Sequence, residues 1–123
     1  MTATALKTEE NCLTKYVPQW ERPVVRFLIK TLLDNGYTVS VNDGEETTVK
    51  RSDHFKTIVD AMGTSGEDYI FFQDGKTEGD NGYFYLIYDN GSAPDDRMIV
   101  ICDYSANEQA EEIYREVNNK YTD

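Results

Sequence analysis

The spacing of hydrophobic positions changes period several times along this chain, and each change marks an element. Between Pro23 and Asn35, Val24, Val25, Phe27, Leu28, Ile29 and Leu32 make a wide apolar stripe, with Arg26, Lys30, Asp34 and Asn35 opposite. That is the period of an amphipathic helix. Pro23 suits the first helical position, where its missing N–H would have no partner anyway, and Gly36 suits the stop. Tyr37, Val39 and Val41 then alternate with Thr38, Ser40 and Asn42, the period of two of a half-buried strand. Asn42-Asp43-Gly44 is turn chemistry, and Glu46 to Arg51 is the return strand of a β-hairpin.

Turn length decides which side chains share a face. A two-residue turn at Asp43-Gly44 throws Val49 onto the polar side. A three-residue loop, Asn42-Asp43-Gly44, pairs Val41 with Glu45, Val39 with Thr47 and Tyr37 with Val49, and gathers the apolar residues. It also places Gly44 where a left-handed backbone is needed. The expected wet face is Thr38, Ser40, Glu46, Thr48 and Lys50.

Farther on, Ser52 reads as the cap of a second helix, with Asp53 near the positive end of its dipole. Phe55, Ile58, Val59 and Met62 stand at i, i+3, i+4 and i+7, and Gly63 ends the run. Three strands follow: Tyr69 to Gln73, opened by Glu67-Asp68; Tyr83 to Tyr88; and Met98 to Tyr104. Their linkers are the polar stretches 74–81 and 90–96. A last helix is expected from Ala106 to Lys120, capped by Ser105 or Asn107, with Ala110, Ile113, Tyr114, Val117 and Tyr121 on one face. The order is therefore α-β-β-α-β-β-β-α. Short links between consecutive strands imply antiparallel pairs. The expected fold is a single α+β domain, a mainly antiparallel five-stranded sheet backed by helices on one main face. Residues 21–123 make that domain, and residues 1–20 read as a partly disordered leader whose Tyr16, Val17 and Trp20 pack on it.

Composition fits one globular core: 123 residues, 39% hydrophobic and 28% charged. No run of about 18 apolar residues occurs, so no membrane span is expected. The start, MTATALKTEENC, lacks the basic and apolar regions of a secretory signal, so a cytoplasmic location is expected. Cys12 and Cys102 do not make a disulfide framework and suggest a reducing compartment. A single histidine, His54, argues against a Cys/His zinc site; it reads as a capping or partly exposed residue.

Charge changes the picture most. Twelve basic residues face 23 acidic ones, a formal net charge of −11. Such a surface repels phosphates and argues against direct nucleic acid binding. It favours basic partners, among which nucleic-acid-binding proteins are the commonest.

Catalytic and metal motifs are absent: no G-x-S-x-G, H-E-x-x-H, C-x-x-C or P-loop. The stretch from Asp74 to Gly82 has some features of a calcium loop, but lacks the closing glutamate of an EF-hand. The chain reads as a non-enzyme without cofactor. Two other features carry functional weight. Tyr83, Tyr85 and Ile87 share one strand face, while Phe84, Leu86 and Tyr88 share the other; Tyr69 and Phe71 extend the first. Both faces are apolar or aromatic. Either the second is covered by the leader or a helix, or it is an interface, where tyrosine packs and still hydrogen-bonds. The acids of the loops, Asp74, Glu78, Asp80, Asp95 and Asp96, with Glu108 to Glu116, could line one edge and imitate a phosphate backbone to a basic protein.

The string GYTVSVNDGEETTVKRS, followed by an amphipathic helix, EDYIFF, YLIYDNG and a strand ending DYSAN, resembles a family of small uncharacterised proteins of tailed phages and prophages. The similarity runs roughly from Val24 to Glu112, and the hairpin is its most specific part. This chain departs from the pattern before Trp20 and in the GSAPDD turn. The resemblance implies a phage accessory protein in the host cytoplasm, with no catalytic residues to carry over.

The resulting expectation is a non-enzymatic accessory protein, monomer or homodimer, that binds a host protein as an acidic inhibitor or DNA mimic. Tyr83, Tyr85, Ile87, Asp74, Glu78, Asp80, Asp95 and Asp96 are its candidate contacts. The alternative is a protein that binds or sequesters a small, nucleotide-like ligand, with His54, Asp103 or Tyr104 converging in a pocket. A self-associating structural protein is a third reading.

Overall fold

A computed structural model of the chain describes residues 12–89 and 94–121, with no account of the side chains at 14 and 94–96. The expected disorder of the first residues and the first part of the loop expected at 90–96, residues 90–93, therefore lie outside the described residues. The elements are α1 (Cys12–Tyr16), α2 (Arg22–Asp34), β1 (Thr38–Asn42), β2 (Thr47–Ser52), α3 (Phe55–Asp60), β3 (Glu67–Gln73), β4 (Gly82–Ile87), a 3-10 turn (Pro94–Val100), β5 (Ile101–Tyr104) and α4 (Glu108–Tyr121). Apart from the short α1, this is the expected α+β order.

The five strands form one antiparallel sheet in the order β2-β1-β3-β4-β5. Alternation sorts its side chains into two layers. Val39, Val41, Ile70, Phe72, Phe84, Leu86 and Ile101 point inward and are buried. They meet Val24, Val25, Leu28, Ile29 and Leu32 of α2, Ile58 and Val59 of α3, and Ala110, Ile113 and Val117 of α4. Gly82 sits inside this layer because nothing larger fits: a Cβ there would lie 2.7 Å from Phe72 Cζ.

Several boundaries differ from expectation. The hairpin does not take the three-residue loop. Asn42 pairs with Thr47 and Val41 with Val49, and extra residues in β2 bring Ser52 opposite Val39. The reason is side-chain chemistry in the turn. Asp43 Oδ1 accepts from the amides of Glu45 (2.9 Å) and Glu46 (3.0 Å), and Asn42 Oδ1 from that of Gly44 (2.8 Å). These side-chain turns lengthen the loop. The bulges then return Val49 to the core face. Gly44 keeps its predicted left-handed backbone (φ 103°).

The second helix starts at Phe55, with His54 in the capping position, rather than at Ser52. Ser52 belongs to β2, and its hydroxyl accepts from the His54 amide at 3.1 Å. Phe55 is consequently 38% exposed instead of lying in the stripe. The strand expected from Met98 begins at Ile101, because residues Pro94–Val100 coil into the 3-10 turn. In the leader, Leu13 and Val17 are buried as packing residues, while Tyr16 is 64% exposed.

Candidate partner-binding face

The helices pack on one face of the sheet, through β1, β2 and β4. The other face presents the opposite parity of the same strands. One row across it reads Asn42, Tyr69, Tyr85, Asp103; the next reads Ser40, Phe71, Tyr83; and Glu67 pairs with Ile87. Tyr69, Phe71, Tyr83, Tyr85 and Ile87 are all half-buried. Tyr69 and Tyr85 stack across the strands at 4.4 Å and 14°, Tyr69 and Phe71 lie 6.2 Å apart, and Phe71 meets Tyr83 at 6.2 Å and 51°. Of the two expectations for this face, covered or open, the described residues leave it open.

Two carboxylates join the rings. Tyr85 Oη donates to Glu67 Oε1 at 2.6 Å, and Tyr83 Oη to Asp103 Oδ2 at 3.4 Å. The bond to Glu67 pushes the Tyr85 hydroxyl up to about 12, and the negative charge of Asp103 raises Tyr83. Both phenols therefore stay protonated at neutral pH and remain hydrogen-bond donors. The result is an apolar aromatic centre bordered by negative charge.

The loop acids named from sequence are placed differently from one another. Asp74 accepts from the amides of Lys76 (2.7 Å) and Thr77 (2.9 Å), which hold its carboxyl below the usual range. It organises the loop between β3 and β4. Asp80 accepts from Gln73 Nε2 at 2.6 Å, and Gln73 Oε1 in turn accepts from Thr38 Oγ1 at 2.9 Å. Asp80 thus closes one end of the open face. Glu78 is exposed in the same loop. The side chains of Asp95 and Asp96 lie outside those described. Tyr83, Tyr85 and Ile87 do sit together as predicted.

Glu67 was readable only as the opening of a strand, and Asp103 only as a member of a ligand pocket. Strand parity would have found Glu67, which shares the phase of Tyr69 and Phe71; Asp103 shares the phase of buried Ile101 and comes opposite Tyr85 only through the irregularity in the β4–β5 register. Asp68 was missed as well. It shares the inward phase of Ile70 and Phe72, and it is fully buried.

The pocket imagined for a small ligand does not gather its three residues. His54 lies beside β2 and Asp103 and Tyr104 lie on β5, the two opposite edges of the sheet. A cleft of about 750 Å³ does run beside β5, lined by Asp103, Tyr104, Asn107, Glu108, Glu111 and Arg115. Its three carboxylates outnumber its one arginine, a poor setting for phosphate. Among the described residues, no group of three or more His, Cys, Asp or Glu side chains is placed to hold a metal ion, and no helix is long and apolar enough to cross a membrane. No family model, no curated protein and no solved structure matches the chain.

Proposed function

We propose that this protein acts by binding another protein on the open sheet face, without catalysing a reaction. The observation that carries this reading is the Tyr69–Tyr85 stack. It lies at the centre of a face on which no described element packs, and it is bordered by Glu67 and Asp103. Stacked tyrosines contribute large, rigid contact area at little cost in side-chain freedom, and a phenol oxygen that donates its proton can still accept a hydrogen bond. A net charge of −11 selects against nucleic acid and in favour of a basic partner. The resemblance of the hairpin region would make this a phage-type accessory protein, with a bacterial host protein as its target and an acidic inhibitor's mode of action.

Affinity capture from a bacterial lysate tests the reading by difference. Tyr69→Ser/Tyr85→Ser should lose the captured protein, while Glu112→Gln/Glu116→Gln on α4, outside the cleft beside Asp103, should keep it. Equal capture by both variants would remove the open face from the function.

A further inference from the structure

We infer that the open face recognises arginine: its occupant is a cationic polypeptide segment that lays a guanidinium beside the Tyr69–Tyr85 stack and pairs it with Glu67 and Asp103. This rests on the binding reading above and names the partner's chemistry.

The charge directly beside the ring stack is negative, while Lys50 lies out on the edge strand β2 and Arg115 lines the cleft beyond Asp103. Glu67 and Asp103 flank the ring stack, and Asp80 closes one end. The described acid–base pairs, Lys30 with Asp34, His54 with Asp53 and Lys56 with Asp60, all lie elsewhere. Glu67 and Asp103 are instead held by phenol hydroxyls, and Asp80 by the Gln73 side-chain amide. A phenol orients a carboxylate without neutralising it, so the negative charge is fixed in place and still directed outward.

A flat ring beside an oriented carboxylate fits arginine better than lysine. Guanidinium is planar, stacks on aromatic faces, and pairs side-on with carboxylates through two N–H groups. An ammonium is a compact, strongly hydrated charge that gains less from either surface. Tyr85 offers both partners at once, since it stacks on Tyr69 on one side and pairs with Asp103 across the ladder on the other.

Other occupants meet opposing charge. A second copy docked by the same face would bring Glu67 and Asp103 against their own equivalents or their neighbours. Nucleic acid would bring phosphates against the same acids.

Calorimetric titration of the whole chain with nona-arginine and with nona-lysine tests the inference. Nona-arginine should bind about threefold or more tighter than nona-lysine, the margin that one or two exposed guanidinium–ring contacts supply. Glu67→Gln/Asp103→Asn should weaken nona-arginine by about tenfold, and raised salt should weaken it further. Tyr69→Leu/Tyr85→Leu should remove the preference for arginine. Glu112→Gln/Glu116→Gln, which deletes the same amount of charge from helix α4 outside the cleft beside Asp103, should change affinity less than twofold. Melting temperatures of all variants establish that they are folded, and Tyr85→Phe, which keeps the ring, should retain the preference.

Equal binding of the two peptides, or equal weakening by the helix variant, overturns the inference by reducing it to diffuse charge. Dimerisation abolished by Tyr69→Leu/Tyr85→Leu, or duplex DNA binding lost in that variant, overturns it in favour of a second copy or nucleic acid. If lysate capture still depends on Tyr69 and Tyr85 while arginine shows no advantage, the arginine chemistry fails and the binding face stands.

Discussion

Tyr88 Oη donates a hydrogen bond of 2.5 Å to Asp68 Oδ2 inside the core, and the same oxygen accepts from the Gly63 amide at 2.9 Å. The Tyr88 amide bonds Gly66 O at 3.0 Å. One buried carboxylate thereby ties the start of β3, the end of β4 and the loop after α3. The other oxygen, Oδ1, is buried with no hydrogen-bond partner. Burial is the chief cause that raises the Asp68 carboxyl from 3.8 to about 6.

That arrangement makes stability depend on pH in a defined direction. Folded Asp68 holds its proton up to about pH 6, whereas the unfolded carboxyl releases it near its ordinary value. Between these values the folded chain binds the additional proton. Asp68 thus favours folding most below about pH 4 and loses that contribution as pH rises through 6. Asp68→Asn is neutral throughout, so its melting temperature relative to the wild type should climb between pH 4 and 7. The gap corresponds to about 3 kcal/mol. A difference between the two proteins that stays flat over this range would show that Asp68 is ionised without cost.

Titration of the tyrosines should separate the two phenol–carboxylate pairs. Tyr85 is raised to about 12 chiefly by its bond to Glu67. Glu67→Gln should bring the Tyr85 hydroxyl back toward 10, read by NMR of the ring carbon bearing the oxygen. Tyr88, raised first by burial and then by Asp68, should not follow. If Tyr85 stays where it is in Glu67→Gln, the hydrogen bond is not the cause.

Adjacent phenylalanines should respond very differently to truncation. Phe72 is fully buried against Phe84 and Tyr37, and Phe72→Ala should cost about 3–5 kcal/mol in denaturant unfolding. Phe71 lies on the open face beside Tyr69 and Tyr83. Phe71→Ala should cost about 1 kcal/mol, the scale of a cross-strand pair. Comparable losses at the two positions would mean that the second face is covered.

Two glycines test how the leader packs. Gly63 (φ +80°) would place a Cβ 3.0 Å from the Leu13 backbone, while Gly36 (φ +88°) would meet nothing within 4 Å. Both alanine variants bear the left-handed strain. Gly63→Ala should cost roughly 1–3 kcal/mol beyond Gly36→Ala because it also pushes α1 off the loop. Equal losses would show that α1 does not rest there.

Local periodicity was enough to read α2, the central strands and α4, since in each the apolar spacing and the element's own period agree. Val24 to Leu32 could be nothing but a helix face. Tyr83 to Tyr88 had to be a strand with two apolar sides. Where side chains competed with the backbone, pattern alone misled. Asn42 and Asp43 took turn amides that simple loop counting gave to the backbone, and the hairpin changed register. Met98 and Ile99 have strand-like composition, yet they belong to a 3-10 turn and Ile99 is 52% exposed.

The sequence by itself determined the fold class, the strand and helix count of the main domain, and the two opposite faces of β4, because these follow from near-neighbour spacing. Only the tertiary structure decided that β3 lies between β1 and β4, which brings Tyr69 against Tyr85 and Glu67 within reach of a phenol. Among the described residues it alone put the helices on one side, left the aromatic side open, and buried Asp68 beneath Tyr88. These are contacts between residues far apart along the chain, and strand order, which no local pattern encodes, sets them.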